Sequence, residues 1–332
     1  MRVKLKNHDI KAISFVLGQN ESSFDDEMSH LTPIKLNILK QNLGIKRHYV
    51  SDNDIYATDL ATKSINALLE AKIIQKSDID ALIIISHTPD FLMPSNSHIV
   101  HKNLNLLSKT LCFDMTAFCS GFIQGLFQAF LMLDNKNFKN VILCSVSVKS
   151  KIINRSDKLT FSTISDSASA VLISKSKEQK TAYFASEIFS DECLNETKPI
   201  GAYKSSQNKF LNLDNDKFFK IVFQNYPKFF DEFCKFCKRQ TDTFIFHAPS
   251  RFFYDKFLQT LKLDENLCFN KALKEIANTD INSVVANIIK LANNRGGVQS
   301  LFLGSFGTGI VLNGINILIN FDSLKILKNT KF

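Results

Sequence analysis

The chain has 332 residues, 45% of them apolar, enough to bury a large core, so disordered and fibrous classes are excluded and two domains or one large α/β unit are expected. Its 41 basic and 32 acidic residues give a net charge of +9, but 30 Phe, no Trp and abundant Lys, Asn and Ile are what AT-rich coding produces, and that excess by itself specifies no acidic partner. No apolar stretch approaches the roughly 20 residues that span a bilayer, and the start MRVKLKNHDIKAISFVLGQN lacks a signal-peptide pattern; with seven cysteines placed mostly in apolar runs (Cys112, Cys144, Cys268), a reduced, cytoplasmic protein with no nucleic-acid or membrane role is expected.

In chain order, alternating apolar runs predict strands over 10–16 and 81–86, with a helix of 3.6-residue periodicity over 55–72 between them. A helix over 95–103, a strand over 110–114 and an apolar helix over 119–133 follow, then strands over 141–146, 167–174 and 182–189. The second half continues with a helix over 216–238, a strand over 243–247, helices over 251–261 and 281–293, and strands over 299–304 and 310–319. Strands alternating with helices indicate α/β layers.

The order repeats. AISFVLG pairs with TAYFASEIF, ALIIISHTPD with TFIFHAPS, the turn into the Cys119 helix with the turn after Asn278, and SASAVLIS with GTGIVLNG. These pairs suggest a duplicated α/β unit with halves 1–174 and 175–332 and with functional loops facing each other at a pseudo-twofold axis.

Within that frame Cys119 stands at the start of an apolar helix, where unpaired N–H groups and the positive dipole end favour thiolate over thiol. His247 ends a strand just before Ala248-Pro249, at the sheet edge where open α/β folds carry their sites. Asn278-Thr279-Asp280 precedes an apolar helix and reads as an N-cap, and Gly304-Ser305-Phe306-Gly307-Thr308-Gly309 reads as a turn between strands. Each has an ordinary structural explanation by itself. So do Cys234 and Cys237, set in a core helix, and His98 and His101, which share a helix face with His87 nearby; no metal site is expected.

Taken together, AFCSGF, FIFHAPS, ANTDINSVVANIIKLA and FLGSFGTGIVL, supported by LGIKRH, SDIDALIIISHTPDFLMPS and KLTFSTISDSASAVLIS, resemble the β-ketoacyl-acyl carrier protein synthases III of the thiolase superfamily, in family order over essentially the whole chain. The resemblance implies a thiolase-like duplicated α/β fold layered αβαβα. It places the family's catalytic cysteine, histidine and asparagine on Cys119, His247 and Asn278, and an oxyanion hole on the backbone N–H groups of Cys119 and Thr308. The chemistry implied is acylation of Cys119 by an acyl thioester, then decarboxylation of a malonyl-type carrier-protein thioester to an enolate that His247 and Asn278 stabilise as neutral donors, giving a 3-oxoacyl thioester. No cofactor is needed, because coenzyme A or phosphopantetheine arrives with the substrate.

The resemblance further implies a homodimer in which Met93, beside Pro94-Ser95, floors the partner's acyl pocket, and an acidic acyl carrier protein docking on Arg251 and Lys256. The chain also departs from the pattern. The tryptophan and arginine that grip the coenzyme A adenine align with Ile38 and Asn42, which disfavours acyl-coenzyme A as donor, and the Gly-Asp-Gly-Ala-Gly-Ala stretch reads Ser165-Asp166-Ser167-Ala168-Ser169-Ala170. Ala248 and Ser250 stand where Gln and Asn normally follow the histidine. The alternatives are acyl transfer to an alcohol or amine, and a non-catalytic partner subunit, against which the retained Cys119, His247 and Asn278 argue.

Overall fold

The computed structural model describes residues 1–189, 197–198 and 210–328. Two sheets carry the molecule. The first has six strands in the order Lys325–Lys328, Asp9–Leu17, Ser167–Ser174, Asn140–Ser147, Ala81–Ile85, Leu111–Met115. The second has five, Arg2–Lys6, Thr181–Ile188, Val311–Asn320, Val298–Gly307, Thr243–Phe246.

In the first sheet Asp9–Leu17 and Asn140–Ser147 both run antiparallel to Ser167–Ser174, and Ala81–Ile85 is parallel to Asn140–Ser147. Thr181–Ile188, Val311–Asn320, Val298–Gly307 and Thr243–Phe246 repeat the same three relations in the same order. The duplicated unit expected from the sequence is therefore present, with AISFVLG and TAYFASEIF, ALIIIS and TFIFH, and SASAVLIS and GIVLNG in equivalent places. A boundary after residue 174 falls between the two sheets, yet each sheet also takes a strand from the opposite end of the chain, Arg2–Lys6 on Thr181–Ile188 and Lys325–Lys328 on Asp9–Leu17.

Five layers result. Between the sheets lie the helices Gly121–Asp134 and Ser283–Ala292, apolar nearly all round because both flanks are covered; their Phe122, Leu126, Phe130, Val284 and Ile288 share one core with the inner faces of both sheets. The strand Ala81–Ile85 is buried at every residue, which is why ALIII reads as a continuous apolar run. Helix Ala57–Glu70 presents Leu60, Ala61, Ile65 and Leu68 to the outer face of the first sheet, and Asn215–Phe236 and Arg251–Leu261 cover the second through a cluster of phenylalanines.

Several elements differ from the sequence expectation for identifiable reasons. The helix Pro33–Leu43 was not expected: its Leu36, Leu39 and Leu43 are only partly buried against Phe24, Met28 and Ile45, and exposed Ile34 and Ile38 on its other faces blur the periodicity; Gly44 closes it at φ 70°. The nucleophile helix starts at Gly121 rather than Cys119, and Asn278-Thr279-Asp280 is not an N-cap: a tight turn over Asp280–Asn282 intervenes and Asn282 caps Ser283–Ala292. The departures at Ser165–Ala170 are absorbed by hydrogen bonding. Ser165 Oγ accepts from Tyr49 N at 2.8 Å, Ser169 Oγ donates to Asn282 Oδ1 at 2.7 Å, and Asn282 Nδ2 donates to Ser167 Oγ at 3.0 Å.

Candidate active site

The loops that leave the C-terminal ends of four strands converge. Leu111–Met115 leads to Cys119, Asn140–Ser147 to Lys149, Thr243–Phe246 to His247 and Val298–Gly307 to Thr308. Cys119, Lys149, His247, Asn278 and Thr308 line one cavity of about 690 Å³, with apolar walls from residues such as Ile153, Leu159, Leu211, Phe218 and Phe306. Four segments far apart in sequence thus supply the three residues singled out as catalytic and the turn singled out for the oxyanion.

Local geometry fixes each of them. Asn278 donates its backbone N–H to Thr163 O and accepts from Ser165 N, both at 3.0 Å, so the first half clamps it; Ala277 at φ 53° and Asp280 at φ 56° flank it in a conformation that costs roughly 1–3 kcal/mol per residue. Its Oδ1 accepts from Asp280 N at 2.8 Å. His247 is 2% exposed, its Nδ1 2.7 Å from Ser283 Oγ and its ring edge-on to Phe306. The glycine turn packs on the nucleophile's neighbour: a Cβ at Gly307 would stand 2.8 Å from Ser120 Oγ and 3.2 Å from Ser120 N. Gly309 at φ 79° and Ile310 at φ 46° complete that turn.

The electrostatics correct one expectation. Cys119 donates its thiol proton to Asp280 Oδ1 at 2.6 Å. Burial and the Asp280 charge push the thiol well above its ordinary range, overriding the helix terminus expected to lower it. At 2.6 Å a thiolate and a carboxylate would repel by about 6 kcal/mol even at an effective dielectric of about 20. Burial would raise Asp280 as well, but Lys149, His87, the Cys119 hydrogen bond and His247 outweigh it and hold the carboxyl below its ordinary range. Lys149 Nζ is 3.9 Å from Asp280 Oδ2, and Ser147 Oγ donates to that oxygen at 3.3 Å. Burial lowers both His87 and His247 to about 4, leaving them neutral near pH 7.

Sequence reasoning missed Asp280, His87 and Lys149. Asp280 was read as part of a cap, although its place two residues from Asn278 was a usable signal. His87 does not accompany His98 and His101: it is buried, stacks on Phe118 at 4.1 Å between centroids, and sits with Nε2 3.1 Å from Asp280 Oδ2, out of line for a hydrogen bond. His98 is exposed, and His101 Nε2 meets Leu107 O at 3.0 Å. Cys234 is exposed and Cys237 buried at the end of their helix.

The remaining expected residues lie on the surface. Met93 is 78% exposed beside exposed Phe91 and Leu92 and does not line the cavity of its own chain. Arg251 and Lys256 lie on the outer helix Arg251–Leu261; Arg251 pairs with Asp255 at 3.4 Å and packs against Gly44, while Lys256 sits over the rings of Phe223 and Phe252. Ile38 and Asn42 are exposed. Among the described residues no helix is long and apolar enough to cross a membrane.

Comparison with known proteins shows which sequences and folds the chain resembles. A family model described as 3-oxoacyl-[acyl-carrier-protein (ACP)] synthase III matches residues 113–192. The chain is 26% identical to a putative 3-oxoacyl-[acyl-carrier-protein] synthase 3 of Campylobacter jejuni, over 98% of this chain and 97% of that protein, and 33% identical to a beta-ketoacyl-[acyl-carrier-protein] synthase III of Clostridium botulinum over 55% and 56%. Its fold superposes on a 3-oxoacyl-(acyl-carrier protein) synthase from Burkholderia xenovorans with a TM-score of 0.91 at 19% identity, covering 99% of both chains, and on OleA of Xanthomonas campestris with 0.79 at 17%, covering 96% and 99%. The fold is thiolase-like.

Proposed function

We propose that this chain, a divergent relative of the 3-oxoacyl-acyl carrier protein synthases III, is a condensing acyltransferase that passes an acyl group through Cys119 to a malonyl-type carrier-protein thioester. The observation that carries the reading is the convergence of Cys119, His247, Asn278 and Thr308 on one apolar-walled cavity.

In the first half-reaction Cys119 sulfur attacks the acyl carbonyl, the backbone N–H groups of Cys119 and Thr308 hold the oxyanion, and the carrier thiol leaves. In the second, the malonyl thioester loses CO2 and the enolate oxygen accepts hydrogen bonds from His247 and Asn278. His247 Nδ1 lies 2.7 Å from Ser283 Oγ; with that hydroxyl as donor the ring proton stands on Nε2, the tautomer this step requires, and burial keeps the ring neutral. Asn278 Oδ1 is engaged by Asp280 N, which turns the amide so that Nδ2 is the free donor. The enolate carbon then attacks acyl-Cys119, releasing the 3-oxoacyl thioester and the sulfur as a thiolate, which takes one proton from solvent to restore the thiol. No cofactor enters. Arg251 and Lys256 meet an acidic carrier protein, and a second copy of the chain covers Phe91, Leu92 and Met93, placing Met93 at the partner's pocket.

A second reading, acyl transfer to an alcohol or amine, is favoured by one observation: the buried carboxylate of Asp280 beside Cys119 could take a proton from such an acceptor. Intact-mass spectrometry separates the readings. Incubation with a panel of acyl-carrier and acyl-coenzyme A donors should add an acyl mass to the wild type and to Cys112→Ala but not to Cys119→Ala. Malonyl carrier protein should then discharge it as a 3-oxoacyl product, and His247→Ala or Asn278→Ala should block decarboxylation while leaving acylation largely intact. Labelling that persists in Cys119→Ala defeats the assignment; discharge only onto an alcohol or amine selects the second reading.

A further inference from the structure

We propose that Asp280 is a catalytic residue, the base that accepts the Cys119 proton during acylation, so that the nucleophile operates as a thiol–carboxylate pair sharing one proton rather than as a standing thiolate. The inference deepens the acyl-enzyme reading and rests on it.

The geometry is direct. The Cys119 thiol donates to Asp280 Oδ1 at 2.6 Å, and Asp280 is fully buried. Asp280 has little freedom to leave: its backbone N–H is held by Asn278 Oδ1 at 2.8 Å, and Ser147 Oγ binds its second oxygen at 3.3 Å. The groups facing it come from every packed element. His87 follows the strand Ala81–Ile85, Ser147 and Lys149 end and follow Asn140–Ser147, Cys119 precedes the helix Gly121–Asp134, and His247 follows Thr243–Phe246. Lys149 is the cation of this set, and it balances one negative charge, not two. The two imidazoles are neutral near pH 7. His247 is already engaged through Nδ1 with Ser283, and among the described residues the acceptor of the thiol proton is Asp280.

The step balances without an added reactant. As Cys119 sulfur forms its bond to the acyl carbon, its S–H bond breaks and the proton moves to Asp280 Oδ1, giving a neutral carboxylic acid. During acylation the site does not hold thiolate and carboxylate together. The tetrahedral intermediate then expels the donor thiolate, which takes the proton from Asp280; a neutral thiol departs and the carboxylate is restored. Removing the carboxylate should therefore have opposite effects on two reactions of the same sulfur. It should make a free thiolate easier to form, and it should deprive thioester attack of its base.

The test compares iodoacetamide alkylation of Cys119 with its acylation, both followed by intact mass from pH 6 to 9. In the wild type, alkylation should climb about tenfold per pH unit without a plateau, while acylation stays nearly level, because the pair delivers its own proton. Parallel climbing of both rates overturns the proposal without any variant. In Asp280→Asn, alkylation at pH 7 should rise at least tenfold while acylation falls at least tenfold. Asp280→Ser serves if the Asn variant fails to fold, and Asp280→Glu should restore part of the acylation. An unchanged alkylation profile, or wild-type acylation in either variant, refutes the role. The alkylation arm requires no acyl donor, so a wild type that no thioester acylates defeats the proposed function and is distinguishable from a failure of the pair.

Discussion

His87 and His247 are buried side chains that stay neutral near pH 7 because desolvation lowers both to about 4. Their unfolded counterparts titrate near 6.5, so as pH falls below that value the unfolded state binds protons that the folded state refuses. Stability is therefore full above about 6.5 and is lost progressively toward pH 4, by about 2 kcal/mol for each histidine at pH 5. His8, also lowered by burial, acts in the same direction. Asp280 has the opposite sign: its depressed carboxyl contributes stability above its ordinary range, and that contribution disappears only at lower pH, outside this window. Urea unfolding at pH 7.5, 6.5 and 5 should show a stability loss of several kcal/mol across the last interval, and His87→Asn should roughly halve the part due to the pair. Equal stability at pH 6.5 and 5 would contradict the neutral burial of both rings.

At the scale of elements, catalysis by backbone N–H groups depends on how closely two turns approach. The turn after Val298–Gly307 rests on Ser120, where a methyl at Gly307 would meet Oγ at 2.8 Å and N at 3.2 Å; Asn313 Nδ2, from the following strand, donates to Ser120 O at 3.1 Å. Gly307→Ala should push Thr308 away from Cys119 and lower the acylation rate by roughly 10²-fold, the usual cost of one oxyanion donor. Iodoacetamide reactivity should change little, because alkylation develops no oxyanion. Acylation at the wild-type rate by a well-folded Gly307→Ala would place the oxyanion hole elsewhere. Helices and strands of the buried layers were legible because burial imposes periodicity. The helix Pro33–Leu43, which buries no residue fully and exposes Ile34 and Ile38, and the short edge strands Arg2–Lys6 and Lys325–Lys328, whose place depends on distant partners, were not.

For the whole molecule, the question is whether the +9 charge has a use. The helix Arg251–Leu261 follows Pro249 and Ser250, which line the cavity, and it carries Arg251 and Lys256 outward. Exposed charges of this kind raise encounter rates and are screened over about 8 Å at physiological salt. Acylation from a carrier-bound donor should outrun that from the matching coenzyme A ester and slow as salt is added. Arg251→Glu should impair the carrier reaction and spare acylation by a small thioester mimic. A rate without salt dependence, or an indifferent Arg251→Glu, would return the charge to coding bias.

Local sequence determined where the reactive groups stand along the chain. Proline after His247, the small residues around Gly307 and the apolar helix after Cys119 all mark the ends of strands or the starts of helices, and such marks are written within a few residues. The tertiary structure decided what those groups face. The helix terminus at Cys119 argued for a depressed thiol, but Asp280, 161 residues away in sequence, reverses the sign at 2.6 Å. His87 similarly read as a surface residue until the Asp280 turn packed over it. A dipole belongs to its own helix and can be read there. A buried charge acts through distance in space and the low dielectric around it, and neither exists until the two halves of the chain have closed on each other.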